Sequence, residues 1–103
     1  MNTVAAINPT GAEIHSPETM PHSIEAEQQL LGAILSNNDV FDRADSLISS
    51  EHFFDPVHAH IYEVASGRIK KNSIASPVTL TTILKDDPGL NELGGANYLA
   101  KLA

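Results

Sequence analysis

The fold of this chain is decided by residues 21–44, which read PHSIEAEQQLLGAILSNNDVFDRA. The stretch opens with a proline, which is tolerated only at the start of a helix, and Ser23 is a typical N-cap. Glu25 and Glu27 fall in the first turn, where carboxylates interact favourably with the helix dipole. We therefore expect a first helix over residues 23–36. Its apolar residues recur at helical spacing: Ile24, Leu30, Leu31, Ile34 and Leu35.

A second apolar stripe begins after Asn37 and Asn38. The pattern predicts a second helix over residues 38–48, so that the two helices form a hairpin at the start of a small all-α domain. Its apolar positions are Val40, Phe41, Ala44, Leu47 and Ile48.

Two residue pairs mark further helix starts. Asp55-Pro56 and Ser76-Pro77 each combine an N-cap side chain with a proline at the first helical position. The helix after Pro56 should turn one side to the core, formed by Val57, Ile61, Val64, Ala65 and the stem of Arg68. The helix after Pro77 should also turn one side to the core, formed by Leu80, Ile83 and Leu84.

The turn Asp86–Gly89 should end that helix, since proline and glycine do not continue it cheaply. We expect only a short turn over residues 90–93, a break at Gly94-Gly95, and then a last amphipathic segment. The predicted architecture is a compact all-α bundle of about five to six short helices over residues 21–103.

Residues 1–20 hold two prolines, a glycine and many polar residues without a sustained period, and are predicted to be a flexible tail.

Composition narrows the class of function. The chain has 103 residues, room for one domain, and no cysteine, which excludes disulfides and fits a cytoplasmic protein. No apolar run approaches the roughly 18 residues of a membrane span. Thirteen acidic residues against six basic ones give a net charge of −7, whereas nucleic-acid binding requires several cations against phosphates. We therefore expect protein partners, no direct DNA binding and no membrane contact.

Catalytic and metal sites have little support in the sequence. A phosphate-binding loop needs glycine and lysine followed by serine or threonine, and the nearest tripeptide, Gly67-Arg68-Ile69, lacks the lysine and the hydroxyl. His58 and His60 are two residues apart, so a helix places them on different sides, and His52 does not complete a zinc set. Asp86-Asp87 does not follow calcium-loop spacing. We predict no catalytic, cofactor or metal residues.

The adjacent rings of Phe53 and Phe54 cannot both enter one core. We expect Phe53 to anchor the region between the second helix and the helix after Pro56. Phe54 is then half exposed, either as a lid on that helix or as a contact for a neighbouring subunit.

Four segments in register carry a resemblance to a known family. They are PHSIEAEQQLLGAIL (residues 21–35), FFDPVHAHIY (residues 53–62), Val78-Thr79-Leu80, and Leu93-Gly94-Gly95 followed by Tyr98-Leu99. Together they resemble the N-terminal domain of the DnaB-type replicative DNA helicases.

The resemblance implies a non-catalytic collar domain of a hexameric helicase, arranged as a trimer of dimers. It implies docking of a DnaG-type primase and of a helicase loader, with ATP and Mg²⁺ held by a motor domain that follows in the family. Since the chain stops at Ala103, we expect a fragment of such a protein. His58 matches the family histidine and is expected to be a hydrogen-bonded packing residue, with His60 facing solvent.

Subunit or partner contacts are expected at Phe54, Tyr98, Leu99 and Leu102. Two other interpretations stay open: a free-standing phage or plasmid adaptor that mimics this domain, and a nucleic-acid-binding helical domain. Whether the natural reading frame continues past Ala103 would separate the first from a helicase fragment.

Overall fold

The computed structural model describes residues 23–103, which form six α-helices joined by short turns. No strand occurs in this range, so the all-α prediction is confirmed. The tail predicted for residues 1–20 lies outside the described residues. The helices are α1 (Ile24–Ser36), α2 (Asp39–Ala44), α3 (Pro56–Lys70), α4 (Pro77–Ile83), α5 (Pro88–Leu93) and α6 (Ala96–Leu102), and a 3-10 turn (Ser50–His52) lies between α2 and α3.

The predicted helix starts are confirmed by their capping hydrogen bonds. The Ser23 hydroxyl accepts from the Ala26 amide at 3.1 Å, and the Asp55 carboxylate accepts from the Val57 amide at 2.8 Å. Ser76 begins α4 with a reciprocal capping box, because its side chain accepts from the amide of Thr79 while the Thr79 hydroxyl accepts from the amide of Ser76. Each cap satisfies amides that the first helical turn leaves without partners.

The second helix is shorter than predicted. It ends at Ala44 instead of residue 48, and Leu47, placed in the buried stripe by the sequence pattern, is 78% exposed. Asp45 and Ser46 are poor helix formers because their side chains compete for backbone hydrogen bonds. The chain turns there, and only Ile48 of the last two apolar positions packs against the core.

The helix α4 ends at Ile83, before the predicted turn Asp86–Gly89, and this turn contains the start of α5. The Asp87 carboxylate accepts from the Leu90 amide at 2.8 Å, and Pro88 is the first helical residue, so residues 88–93 form a helix rather than a short turn. This is the same start signal as Asp55-Pro56. Ile83 is the last residue of α4 and is 46% exposed, which corrects its predicted inward position.

The core lies where α1 packs against α3 and α6, with α4 packed on α6 and α3. Phe53 is partly buried against this core, as predicted, and its ring centroid lies 5.1 Å from that of Tyr62. Phe41 approaches the same tyrosine at 5.8 Å. The largest aliphatic side chains that are fully buried are Leu31, Ile34, Ile61, Leu80, Leu90 and Leu99.

Asn38 holds the loop before α4 against the end of α1. Its side-chain amide donates to the carbonyls of Ile34 (2.7 Å) and Ala75 (2.8 Å), and its carbonyl oxygen accepts from the Ala75 amide at 3.0 Å. The sequence pattern marked Asn38 only as a break between helices.

Gly32 allows α6 to lie directly on α1. A Cβ atom at this position would overlap the carbonyl oxygen of Leu102. The glycine is therefore required by the close approach of the two helices rather than by its own backbone angles.

No helix in the described part of the chain is long and apolar enough to cross a membrane.

Candidate interaction surface

A buried polar network ties α1, α3 and α6 together. The fully buried His58 places its Nδ1 atom 2.8 Å from Glu27 Oε1 and its Nε2 atom 2.5 Å from the Tyr98 hydroxyl. Because a carboxylate only accepts, Nδ1 of His58 donates to Glu27, and in the neutral form of the ring Nε2 accepts from the Tyr98 hydroxyl. Gln28 completes the network by donating to the Tyr98 oxygen at 3.1 Å. Both ring nitrogens of His58 are thus used inside the protein, and its predicted packing role is confirmed.

Glu27 also organises the start of α3. Its carboxylate accepts from the Phe54 amide at 2.6 Å and lies 3.4 Å from the Asp55 amide, in addition to the bond with His58. A negative charge before a helix N-terminus is stabilised by the helix dipole. The sequence interpretation placed Glu27 only in the first turn of its own helix and missed this contact, because the partners are about thirty residues away in the chain.

The three candidate metal histidines have separate partners. His60 is exposed and lies 3.0 Å from Asp87, which agrees with its predicted solvent-facing position. His52 accepts from the Ser49 amide at 2.9 Å and so closes the 3-10 turn. Within residues 23–103, no group of three or more histidine, cysteine, aspartate or glutamate residues is placed to hold a metal ion.

The predicted contact residues divide into exposed and buried positions. Phe54 is 57% exposed, while Tyr98 and Leu102 are half-buried. Leu99 is fully buried in the core and has no surface to offer a partner, which corrects the expectation for that residue. The reason is geometric. The short helix α6 packs against both α1 and α4, so a residue in its middle must point between these two helices to anchor α6.

Two concave surfaces lie on opposite sides of α1. Tyr98 and Leu102 border an open groove of about 480 Å³ between α1 and α6, together with Glu25, Gln28, Gln29 and Lys101. A smaller hollow of about 160 Å³, named here the α1 hollow, lies between α1 and the 3-10 turn. It is lined by Ala26, Glu27, Leu30, Ile48, His52 and Phe53.

The α1 hollow was not foreseen from sequence. Its lining comes from two separate segments, and the alternation of apolar and polar residues shows only that each segment has one buried side. Leu47, next to it in the chain, is the large apolar residue whose exposure differs most from the predicted pattern.

Fold and surface together define a small helical domain with two concave surfaces beside α1. The described residues offer concave, partly apolar surfaces, whereas the best-placed polar side chains are occupied by internal hydrogen bonds.

Comparison with known proteins identifies the family. Residues 19–103 match the DnaB-like helicase N terminal domain, and the chain belongs to this family. The resemblance drawn from the four sequence segments is therefore confirmed.

The relatives are replicative DNA helicases. The chain is 44% identical over 91 residues to the replicative DNA helicase DnaB of Rickettsia felis and 32% identical over 92 residues to that of Geobacillus stearothermophilus. These matches cover 88% and 89% of this chain but only 18% and 20% of the two relatives. The chain thus spans about a fifth of the length of the curated relatives it matches.

A solved structure shows the same fold. The crystal structure of the N-terminal domain of DnaB helicase from Mycobacterium tuberculosis is similar with a TM-score of 0.72 and 28% sequence identity. The match covers 80% of this chain and 59% of that chain.

Proposed function

We propose that this domain is the non-catalytic collar of a hexameric replicative helicase that unwinds DNA at the replication fork. The observation that carries the proposal is the match of residues 19–103 to the N-terminal domain of that family. In this proposal the domain pairs subunits, as a trimer of dimers, and docks other replication proteins.

The chemistry of the chain supports a role without catalysis. Its 103 residues contain no glycine-lysine pair followed by serine or threonine, the sequence that holds nucleotide phosphates in such motors. ATP and Mg²⁺ are then bound by a motor domain outside this chain. The collar acts by conformation, because pairing of domains sets the ring geometry and a docked partner changes which geometry is populated.

The partners proposed are further copies of the helicase subunit, a DnaG-type primase and a helicase loader, all in the cytoplasm. The net charge of the chain supports protein partners rather than DNA, because the sequence has six basic residues and thirteen acidic ones. Exposed apolar side chains at Leu47 and Phe54 also suit protein contacts.

Fluorescence anisotropy tests this function in two parallel titrations. The chain is added to a labelled DnaG-type primase and to labelled single-stranded DNA at about 150 mM salt. We expect binding to the primase and none to DNA. Replacing Arg68, Lys70 and Lys71 by Gln, which removes the only basic cluster, should leave the primase result unchanged. Micromolar DNA binding that weakens steeply with salt and disappears in this variant, without primase binding, would overturn the proposal.

A further inference from the structure

The end of α3 and the start of α4 meet at one backbone oxygen. The carbonyl oxygen of Ile74 accepts from Arg68 Nε at 2.6 Å and from the Thr79 hydroxyl at 3.1 Å. The amide of Ser73 donates to the Arg68 carbonyl at 2.9 Å, so the connecting loop folds back on the last turn of α3. These bonds hold residues 68–79 together in one corner of the domain, named here the α3–α4 corner.

Two large apolar side chains of the α3–α4 corner face solvent. Ile74 is 66% exposed and Val78 is 77% exposed. Between them Ala75 is fully buried, and the side chain of Asn38 hydrogen-bonds both its carbonyl and its amide. The backbone of the corner is therefore anchored to the domain, while the two apolar side chains lie outside the core.

The same corner carries the positive charge of an acidic chain. Residues 64–85 contain four of the six basic residues and none of the thirteen acidic ones, although the whole chain has a net charge of −7. Lys70 lies 3.8 Å from Asp45. Arg68 and the exposed Lys71 form no ion pair in the described part of the chain. The amide of Lys71 donates to the Arg68 carbonyl at 3.0 Å, which places both cations at the corner.

Charge and apolar exposure together decide which occupant fits the corner. The phosphates of a nucleic acid would pair with the cations but leave Ile74 and Val78 uncovered, and non-specific binding needs several more cations. Two copies of this chain each carry a net charge of −7, so they repel one another outside the corner. A short acidic segment that also has apolar side chains matches both features of the surface.

We propose that the α3–α4 corner docks an acidic segment of a partner protein. Apolar side chains of that segment pack on Ile74 and Val78, and its carboxylates pair with Arg68 and Lys71. The Nε atom of Arg68 is held by the Ile74 carbonyl, which leaves the two terminal nitrogens of the guanidinium group to bind a carboxylate. The inference goes beyond the proposed function, because it adds a docking surface separate from the primase contact, which is expected not to need the basic cluster.

A designed peptide probes the corner on the full 103-residue chain. The probe has about 12 residues, with glutamate and leucine at alternate positions. One matched peptide carries lysine in place of every glutamate, and a second carries serine in place of every leucine. Binding is followed by NMR through the backbone amide shifts of the isotope-labelled chain.

The acidic apolar peptide should bind at one place. We expect shift changes concentrated in residues 68–79, a dissociation constant on the order of 100 μM that rises with added salt, and at least about fivefold weaker binding of both matched peptides. Shift changes centred elsewhere, or no binding, would overturn the proposal.

Charge variants separate local pairing from net charge. Lys71→Glu should weaken the acidic peptide by about three- to tenfold, because it reverses a cation at the corner. Lys101→Glu changes the net charge equally but lies in α6, and should weaken binding by less than about twofold. Equal effects of the two variants would overturn the proposal.

Apolar variants separate docking from charge. Ile74→Ser and Val78→Ser each remove an exposed side chain, so the domain should stay folded, and each should weaken the acidic peptide by about two- to fivefold. The control Phe54→Ser also removes an exposed apolar side chain. Phe54 precedes the 15 residues of α3, roughly 22 Å from the corner, so this variant should bind as the wild type does. Unchanged binding in both corner variants would overturn the proposal.

Other occupants give distinct results at the same amides. Single-stranded DNA that shifts residues 68–79 more tightly than the peptide would indicate a nucleic-acid site. Shifts of these amides as the protein is concentrated from about 50 μM to about 1 mM would indicate a second copy, and shifts on removal of residues 1–20 would indicate that segment. Each result would overturn the proposal. Loss of primase binding would instead count against the proposed function and leave this inference standing.

Discussion

At the residue scale, His58 is the buried polar residue that joins α3 to α1 and α6. Its place in the FFDPVHAHIY segment predicted a hydrogen-bonded packing residue, and the structure shows it fully buried between Glu27 and Tyr98. Its partners could not be predicted, because one lies 31 residues before it and the other 40 residues after it. Helical periodicity specifies which side of a helix is buried, but not which residues of other helices meet there.

Removing the Tyr98 hydroxyl should destabilise the domain. In Tyr98→Phe the buried Nε2 atom of His58 loses its hydrogen-bond donor, which costs about 1–3 kcal/mol in the free energy of unfolding. Urea denaturation measures this change. The matched control is His60→Gln, which alters an exposed histidine and should change stability by no more than about 0.5 kcal/mol. Equal effects of the two variants would show that the network contributes nothing.

Tyr62 should make the domain less stable in alkali. Burial, and after it the Asp45 carboxylate, raise the pKa of Tyr62 above its ordinary value of 10.0. The folded state holds the phenol proton more tightly, so this stability is present below about pH 10 and is lost as the pH rises through the folded pKa.

Urea midpoints measured between about pH 8 and pH 11 test this dependence. Tyr62→Phe should lose about 0.5–1.5 kcal/mol at neutral pH, because the hydroxyl donates to the Ile48 carbonyl, but its stability should fall less in alkali. An identical alkaline decline in the wild type and the variant would contradict this assignment.

At the scale of elements, helix starts were predictable and helix lengths were not. Ser23, Asp55 and Ser76 all cap the helices that their sequences predicted, because an N-cap is a local interaction of a few residues. The end of α2 differed from the prediction, since it depends on whether Leu47 finds a place in the core. The start of α5 was missed although its signal, Asp87 followed by Pro88, is local.

Two glycines in helices give a matched test of the packing of α6. Gly32→Ala should destabilise the domain by several kcal/mol or release α6, because a Cβ atom would overlap the Leu102 carbonyl oxygen. Gly67→Ala, on the exposed side of α3 with no atom nearby, should instead stabilise by about 0.5–1 kcal/mol. Thermal unfolding measures both, and a neutral Gly32→Ala variant would show that α6 does not lie on α1 as described.

At the scale of the whole molecule, the all-α class and the family followed from sequence, while the surfaces did not. The family came from exact residues in four segments, which is information beyond hydrophobic periodicity. The α1 hollow and the groove beside Tyr98 arise from the way separate helices meet. The same packing of separate helices decides which residues of α6 are buried, and Leu99, which was expected at a contact surface, is found in the core.

Self-association of the isolated chain should be weak. The apolar stripe of α6 is largely used inside the domain, since Leu99 is buried and Leu102 packs on the core. We expect mostly monomer at low micromolar concentration and some dimer near millimolar, through an interface below the roughly 1,600 Å² of a standard stable complex. Light scattering across this range measures it. A tight dimer at nanomolar concentration would show that this domain alone carries the pairing energy.

Exchange of domains tests the central claim most directly. In the replicative DNA helicase of Rickettsia felis, the segment that matches this chain is replaced by the corresponding residues of this chain. The control is the same exchange with the matching segment of the Rickettsia typhi helicase, which shows whether the junction is tolerated. We predict that the exchanged enzyme assembles to the mass of the parent and unwinds DNA at a rate close to the parent's. An enzyme that fails to assemble or to unwind, while the control does both, would contradict the assignment of this domain as a helicase collar.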